Sequence, residues 1–220
     1  MWLNNIQNFT RMKIFLLVVF GFSLFACNSQ TEQTDGNETE VDSLAIQLND
    51  SALEKHQNYT FGIDPDKRNL ELAINELDRA IEIEPEIALY YSNKAHILLT
   101  LEKDEEAITE LRKIIEFQPY NAEVLSMIGF IYERNGNQSE ARNWYQRSIE
   151  SYEKRITENK HVINSEIHLA FLKFFVEDKN AAISAYSDLK DRYPESDEVL
   201  FMEDLFTEFD REKYLREFHE

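Results

Sequence analysis

An all-α chain, a solenoid of stacked helix–turn–helix units, is predicted by three features. Ala73, Ala107 and Ala141 stand 34 residues apart, and Pro85 and Pro119 keep the same spacing. Ala182 and Pro194 return to that phase once a seven-residue insertion, two helical turns, is allowed after the third unit. Apolar residues between these anchors keep helical spacing, as in Ile74, Leu77 and Ile81 or Ile108, Leu111 and Ile115, which gives each helix one face to bury. A unit of this length cannot cover its apolar face alone and stacks on its neighbours. No segment reads as a strand.

Residues 1–26 read as a processing segment. Arg11 and Lys13 precede an apolar run over 14–26, and Cys27 follows. As a helix those 13 residues reach about 20 Å, short of the roughly 30 Å of a hydrocarbon core. A basic head, a short apolar stretch and a small residue before the break describe a secretory signal, and Met12 opens a more typical one than Met1. Leu24-Phe25-Ala26-Cys27 resembles the bacterial lipobox. That resemblance implies that Cys27 is acylated, with palmitate among its chains, and becomes the first residue of the mature protein. Cys27 is the single cysteine, so no disulfide stabilises the fold.

Residues 27–43 read as a lipidated, flexible, acidic tether. From Asn28 to Asp42 there is no Lys or Arg, and Val41 is the one apolar residue, too little to bury. Asn28 is not the aspartate that retains lipoproteins at the inner membrane in some bacteria, and the acids soon after Cys27 are similar to the export signals of some Bacteroidota lipoproteins. They favour the outer over the inner membrane.

Residues 44–196 hold the repeats. Alanine recurs where the two helices of a unit approach closely, and proline where the second helix must stop. Asp104 and Ser139 are the expected caps of the second helices of their units. Over 88–121 the chain places Tyr91, Ala95, Ala107 and Pro119 at repeat positions 4, 8, 20 and 32. Over 122–155 it places Gly129, Tyr132, Gly136, Ala141 and Tyr145, with Glu153 where the proline would stand. Over 163–196 it places Ala170, Ala182, Tyr186 and Pro194. These units resemble tetratricopeptide (TPR) repeats. The first unit, about 54–87, matches in its second helix through Ala73, Ala80 and Pro85. Phe61-Gly62-Ile63-Asp64-Pro65 interrupts its first helix, so that unit is degenerate or carries a long internal loop. Residues 197–220 are expected to form one capping helix, with Val199, Met202, Leu205, Phe206 and Phe209 on its apolar stripe.

The resemblance implies a TPR-like α-solenoid of about four repeats whose first helices line a concave groove for a partner segment. Its ligand-facing positions fall on Leu89, Ser92, His96 and Leu99, then Glu123, Ser126, Phe130 and Glu133, then Asn164, Ile167, Phe171 and Phe174. For Phe171 and Phe174 packing under the terminal helix is the competing reading, and Phe130 and Glu133 are the favoured contacts. The groove lacks the lysine and arginine set that clamps a peptide C-terminal carboxylate in chaperone-binding members.

With 23 basic against 42 acidic residues and a net charge of −19, the chain is ill suited to nucleic acid or anionic lipid surfaces. No phosphate loop, dinucleotide fingerprint or His-Glu-x-x-His pair is present. His161, Glu166 and His168 invite a metal reading. However, zinc pairs on one helix usually sit at i and i+3 or i+4, so these are read as ordinary packed or exposed side chains. No catalytic residue, metal or cofactor is assigned, and the chain is not read as an enzyme. The expectation is a lipid-anchored bacterial cell-envelope scaffold or assembly adapter, with a protein or peptide segment as partner and membrane contact through the anchor alone. A peptidoglycan-binding module or an envelope enzyme is the rival.

Overall fold

The computed structural model describes residues 42–217, which hold eleven helices and no strand. The leader, Cys27 and the tether up to residue 41 lie outside the described residues, as do residues 218–220. The helices fall into two units that divide between Phe117 and Gln118.

The first unit comprises α1 (Ser43–Thr60), α2 (Lys67–Ile83), α3 (Ala88–Thr100) and α4 (Asp104–Phe117). Successive helices pack antiparallel in pairs, α1 with α2 and α3 with α4, and α2 also packs on α3. Leu70, Ala73, Leu77 and Ala80 occupy one stripe of α2 and are fully buried. They meet Ala45, Leu48 and Ala52 of α1 and Tyr90 and Ile97 of α3. Each fully buried leucine or isoleucine there contributes roughly 1.5–3 kcal/mol.

The first helix pair starts at Ser43, ahead of the expected boundary near residue 54, and Asp42 caps it by accepting the Leu44 N–H at 2.7 Å. What the spacing left open, degeneracy or a long loop, is a longer first helix followed by a six-residue connection, 61–66. Phe61 and Ile63 are exposed in that connection.

The second unit comprises α5 (Ala122–Arg134), α6 (Gln138–Thr157), α7 (Val162–Val176), α8 (Lys179–Arg192) and three short helices, α9 (Asp197–Leu200), α10 (Glu203–Glu208) and α11 (Arg211–Glu217). Pairs form between α5 and α6 and between α7 and α8, with α6 also against α7. Gly129 of α5 faces Tyr145 of α6 so closely that a Cβ there would stand 2.5 Å from the ring. Small residues set the approach of the two helices, as the alanine period implies.

Three second helices, α2, α4 and α8, stop two residues before Pro85, Pro119 and Pro194. The proline ring forbids helical angles at the residue before it and supplies no N–H to the ladder. α6 has Glu153 in place of proline and continues to Thr157, 20 residues against the 14 of α4. The insertion detected in the sequence is largely this extension. Four helices end in a left-handed residue, Gly62, Glu102, Gly136 and Asn159. After α3 and α5 the return bonds Lys103 N–H to Leu98 O and Asn137 N–H to Tyr132 O, both 2.9 Å, close the Schellman motif.

Three expectations are corrected. Asn137, not Ser139, caps α6, accepting the Glu140 N–H at 3.3 Å, and Ser139 lies inside the first turn. Asp104 likewise lies inside the first turn of α4, where its charge meets the positive end of the helix dipole. The single helix expected over 197–220 is broken at 201–202 and again at 209–210. Its apolar residues are drawn to different places. The Tyr186 hydroxyl donates to Val199 O at 2.8 Å, Phe206 stacks on the Tyr186 ring at 4.4 Å, and Phe209 reaches Phe174 at 4.3 Å. A straight rod could not deliver all three, so packing overrides the periodicity.

Candidate partner-binding faces

Each unit presents the first helices of its pairs, α1 and α3 or α5 and α7, on one layer, and the expected ligand-facing residues all lie on α3, α5 and α7. In the first unit Leu89 packs partly against the core, while Ser92 and Leu99 are buried and His96 is partly buried. Residues that spacing did not single out surround them. Asn93 donates to Asn49 Oδ1 of α1 at 2.7 Å, a buried bond between the two first helices. Thr100 donates its hydroxyl to His96 O at 3.0 Å. His56 Nε2 lies 2.9 Å from the Thr100 hydroxyl oxygen. Burial lowers His56 to a pKa of about 4. Burial, with His56 beside it, lowers His96 to about 4 as well. Both rings are neutral near pH 7.

The second unit is different. Glu123, Ser126, Phe130 and Glu133 form one stripe of α5, and all four are buried. Glu123 accepts a two-pronged bond from Arg155 of α6, at 2.5 Å and 2.7 Å. Burial opposes the charge on Glu123, but the Arg155 bonds and charge outweigh it and hold the carboxyl below the usual range. The Ser126 hydroxyl donates to Glu123 O at 2.8 Å. Glu133 accepts the Tyr145 hydroxyl at 2.6 Å and pairs with Arg211 of α11.

Phe130 lies in an aromatic wall, with ring centres 5.4 Å from Tyr145, 4.6 Å from Phe175 and 6.4 Å from Phe171. On α7, Ile167, Phe171 and Phe174 are buried, and Asn164 is partly exposed. Phe171 and Phe174 pack against Phe206 and Phe209, the arrangement that the competing reading described.

The structure thus joins Phe130, Phe171 and Phe174 in one aromatic cluster and places Glu133 at its edge. Sequence reasoning missed Tyr145, Phe175, Arg155, Arg211 and Tyr214 as parts of this face. The arginines and Tyr214 sit outside the repeat positions, and no periodicity marks them. His161, Glu166 and His168 do not converge. His161 opens α7 with a left-handed backbone, Glu166 pairs with Arg192 at 2.7 Å, and His168 stacks on Tyr152 at 5.0 Å. Among the described residues no group of three potential ligands is placed to hold a metal ion, and no helix is long and apolar enough to cross a membrane.

Comparison with known proteins agrees with the geometry. Residues 88–121 and 122–155 match the tetratricopeptide repeat family. The chain is similar to human tetratricopeptide repeat protein 13, with 29% identity over 128 residues, 58% of this chain and 15% of that protein. It is 43% identical over 47 residues to the protein STIP1 homolog of Dictyostelium discoideum, covering 21% of this chain and 8% of the relative. Small glutamine-rich tetratricopeptide repeat-containing protein 2 of Saccharomyces cerevisiae is 29% identical over 83 residues, 38% of this chain and 24% of the relative. The chain therefore spans less than a quarter of the length of each of these relatives. Tetratricopeptide repeats imply protein–protein interaction.

Proposed function

We propose that this tetratricopeptide-repeat protein is an interaction scaffold or assembly adapter of the bacterial cell envelope, tethered by lipid at Cys27. The carrying observation is the repetition of antiparallel helix pairs, two of them matched as repeats, whose first helices hold the expected ligand-facing residues, Leu89 and Asn164 among them partly exposed. Such a face recognises a segment of another protein by shape, aromatic contact and a few buried charges rather than by chemistry on a substrate. The acidic balance of 42 against 23 favours partner segments that are neutral or basic. The envelope setting is supported by the leader 14–26 and the lipobox-like run ending at Cys27.

A photo-crosslinking residue at Leu89 or Asn164, both partly exposed, is expected to capture a defined protein segment in living bacteria. The same group at Leu72, exposed on α2, should not. Capture from Leu72 alone would remove the first-helix faces from the proposal. Labelled palmitate should enter the wild type and not Cys27→Ser, and an unlabelled wild type would refute the anchor.

A further inference from the structure

The described chain ends in two parts that are fastened very differently. Residues 197–209 are held by side chains that are fully or nearly fully buried, Val199, Phe206 and Phe209. A Lys190–Glu203 pair at 2.8 Å and a bond from Lys179 Nζ to Phe209 O at 3.1 Å add to them. Residues 211–216 of the next helix, α11, include no fully buried side chain: Lys213, Tyr214 and Leu215 are half-buried and Arg211 is exposed. α11 has seven residues, too few to stay helical without support. It starts from Asp210, whose carboxylate accepts the Lys213 N–H at 2.9 Å, directly after the extended Phe209.

That lightly held helix lies on α5. Arg211 pairs with Glu133, and its guanidinium stands 5.8 Å from the centre of the Phe175 ring. Tyr214, three residues on and therefore on the same side of α11, sits 5.5 Å from Phe130 and 5.8 Å from each of Phe171 and Phe175. Phe209 completes the enclosure at 5.3 Å. Glu133 is a carboxylate set in an aromatic wall, with one oxygen bonded to Tyr145. A charge so placed strongly favours a cation beside it. Arg211 supplies that cation from a side chain that is itself 42% exposed.

Building on the reading of α5 and α7 as a binding face, we infer that α11 is an internal ligand of that face. The partner it stands in for is a short helical protein segment that carries Arg or Lys three residues before Tyr or Phe. Such a segment binds by displacing α11, with its cation on Glu133 and its ring among Phe130, Phe171 and Phe175. Residues 197–209 stay in place as the cover of α7 and α8, so the exchange opens the site without unfolding the unit.

The test uses a fluorescent helix-stabilised peptide of residues 208–217 and fluorescence anisotropy. It is titrated with the full chain, with a chain ending at Asp210, and with the full-length Arg211→Glu, Tyr214→Ala variant, which carries the comparison should the shortened chain fail to fold. Binding to either released form is expected to be at least tenfold tighter than to the wild type. Glu133→Gln, which keeps an acceptor for Tyr145, should weaken that binding severalfold, and Tyr214→Ala in the peptide should weaken it about tenfold. Equal binding to wild-type and released chains, or binding to none, overturns the inference. If a segment captured from Asn164 then binds all forms alike, the face keeps its proposed role and α11 does not compete for it. If the peptide binds the released forms but Asn164 captures nothing in cells, the internal ligand stands and the scaffold reading falls.

Discussion

Gly129 is the tightest point between α5 and α6. A methyl group there would meet Tyr145 Cε1 at 2.5 Å and Cδ1 at 2.6 Å, with Ala141 O at 3.3 Å. Tyr145 cannot swing away cheaply, because it is buried and its hydroxyl is bonded to Glu133. Gly129→Ala gains up to about 1 kcal/mol of helix propensity, but overpacking of this kind costs about 1–3 kcal/mol. We expect a net loss of up to about 2 kcal/mol in urea unfolding. An unchanged or raised midpoint would show that the helices part freely. The two carboxylates of α5 behave differently from surface acids for the same reason. Glu123 and Glu133 are buried, and each is answered by an arginine from another helix. Removing such a partner leaves a buried charge uncompensated.

Helix ends and helix pairs carry the next set of consequences. Glu102 and Gly136 occupy equivalent turns 34 residues apart, with φ of 61° and 78°. Only glycine adopts that conformation without strain. Glu102→Gly is therefore expected to raise stability by about 0.5–1 kcal/mol, read as an increase in the thermal midpoint. A decrease would mean that the Glu102 side chain contributes more than the strain costs.

The pair of first helices α1 and α3 holds His56 and His96, both lowered from 6.5 to about 4. The folded unit keeps these rings neutral, whereas the unfolded chain takes up protons first as pH falls. Stability is unaffected above about pH 7, declines below 6.5 and has lost the full contribution near pH 4. The scale is on the order of 1.4 kcal/mol per unit of pKa difference for each ring. Carboxylates titrate over part of the same range. The measurement is accordingly the difference in urea midpoint between the wild type and His56→Gln, His96→Gln at pH 7.5, 5.5 and 4.5. The gap should narrow or invert toward acid, and parallel curves would exclude a histidine contribution.

Taken whole, the chain carries a net charge of −19, and its surplus acids repel one another in the folded state. Raising ionic strength from about 0.01 M to about 0.3 M shortens the screening length from about 30 Å to under 10 Å. Exposed pairs such as Lys160–Glu158 and Lys103–Glu106 lose little on screening, being worth about 0–1 kcal/mol each. Relief of the general repulsion should exceed that loss, so the thermal midpoint is expected to rise by a few degrees. A fall in calorimetry would show that specific ion pairs outweigh the overall charge. The same excess of acid bears on binding, because it steers cations toward the Glu133 end of the second unit and lowers affinity for acidic segments.

Residues alone were enough to read the helical class, the 34-residue period, the close-contact alanines and the stops before Pro85, Pro119 and Pro194. The period is read directly along the chain, and the rest are local, written in spacings of three or four residues or in the chemistry of one side chain. The partners across helices were not legible in that way. Arg155 answers Glu123 from 32 residues away, His56 meets Thr100 across 44, and Arg211 reaches Glu133 across 78. Those meetings depend on where one helix lies against another, which spacing along either helix does not specify. The breaking of the last helix follows the same logic. Its stripe of Val199, Phe206 and Phe209 is regular along the chain, but the surfaces waiting on Tyr186 and Phe174 are not in line, and burial of the rings prevailed over continuity of the backbone.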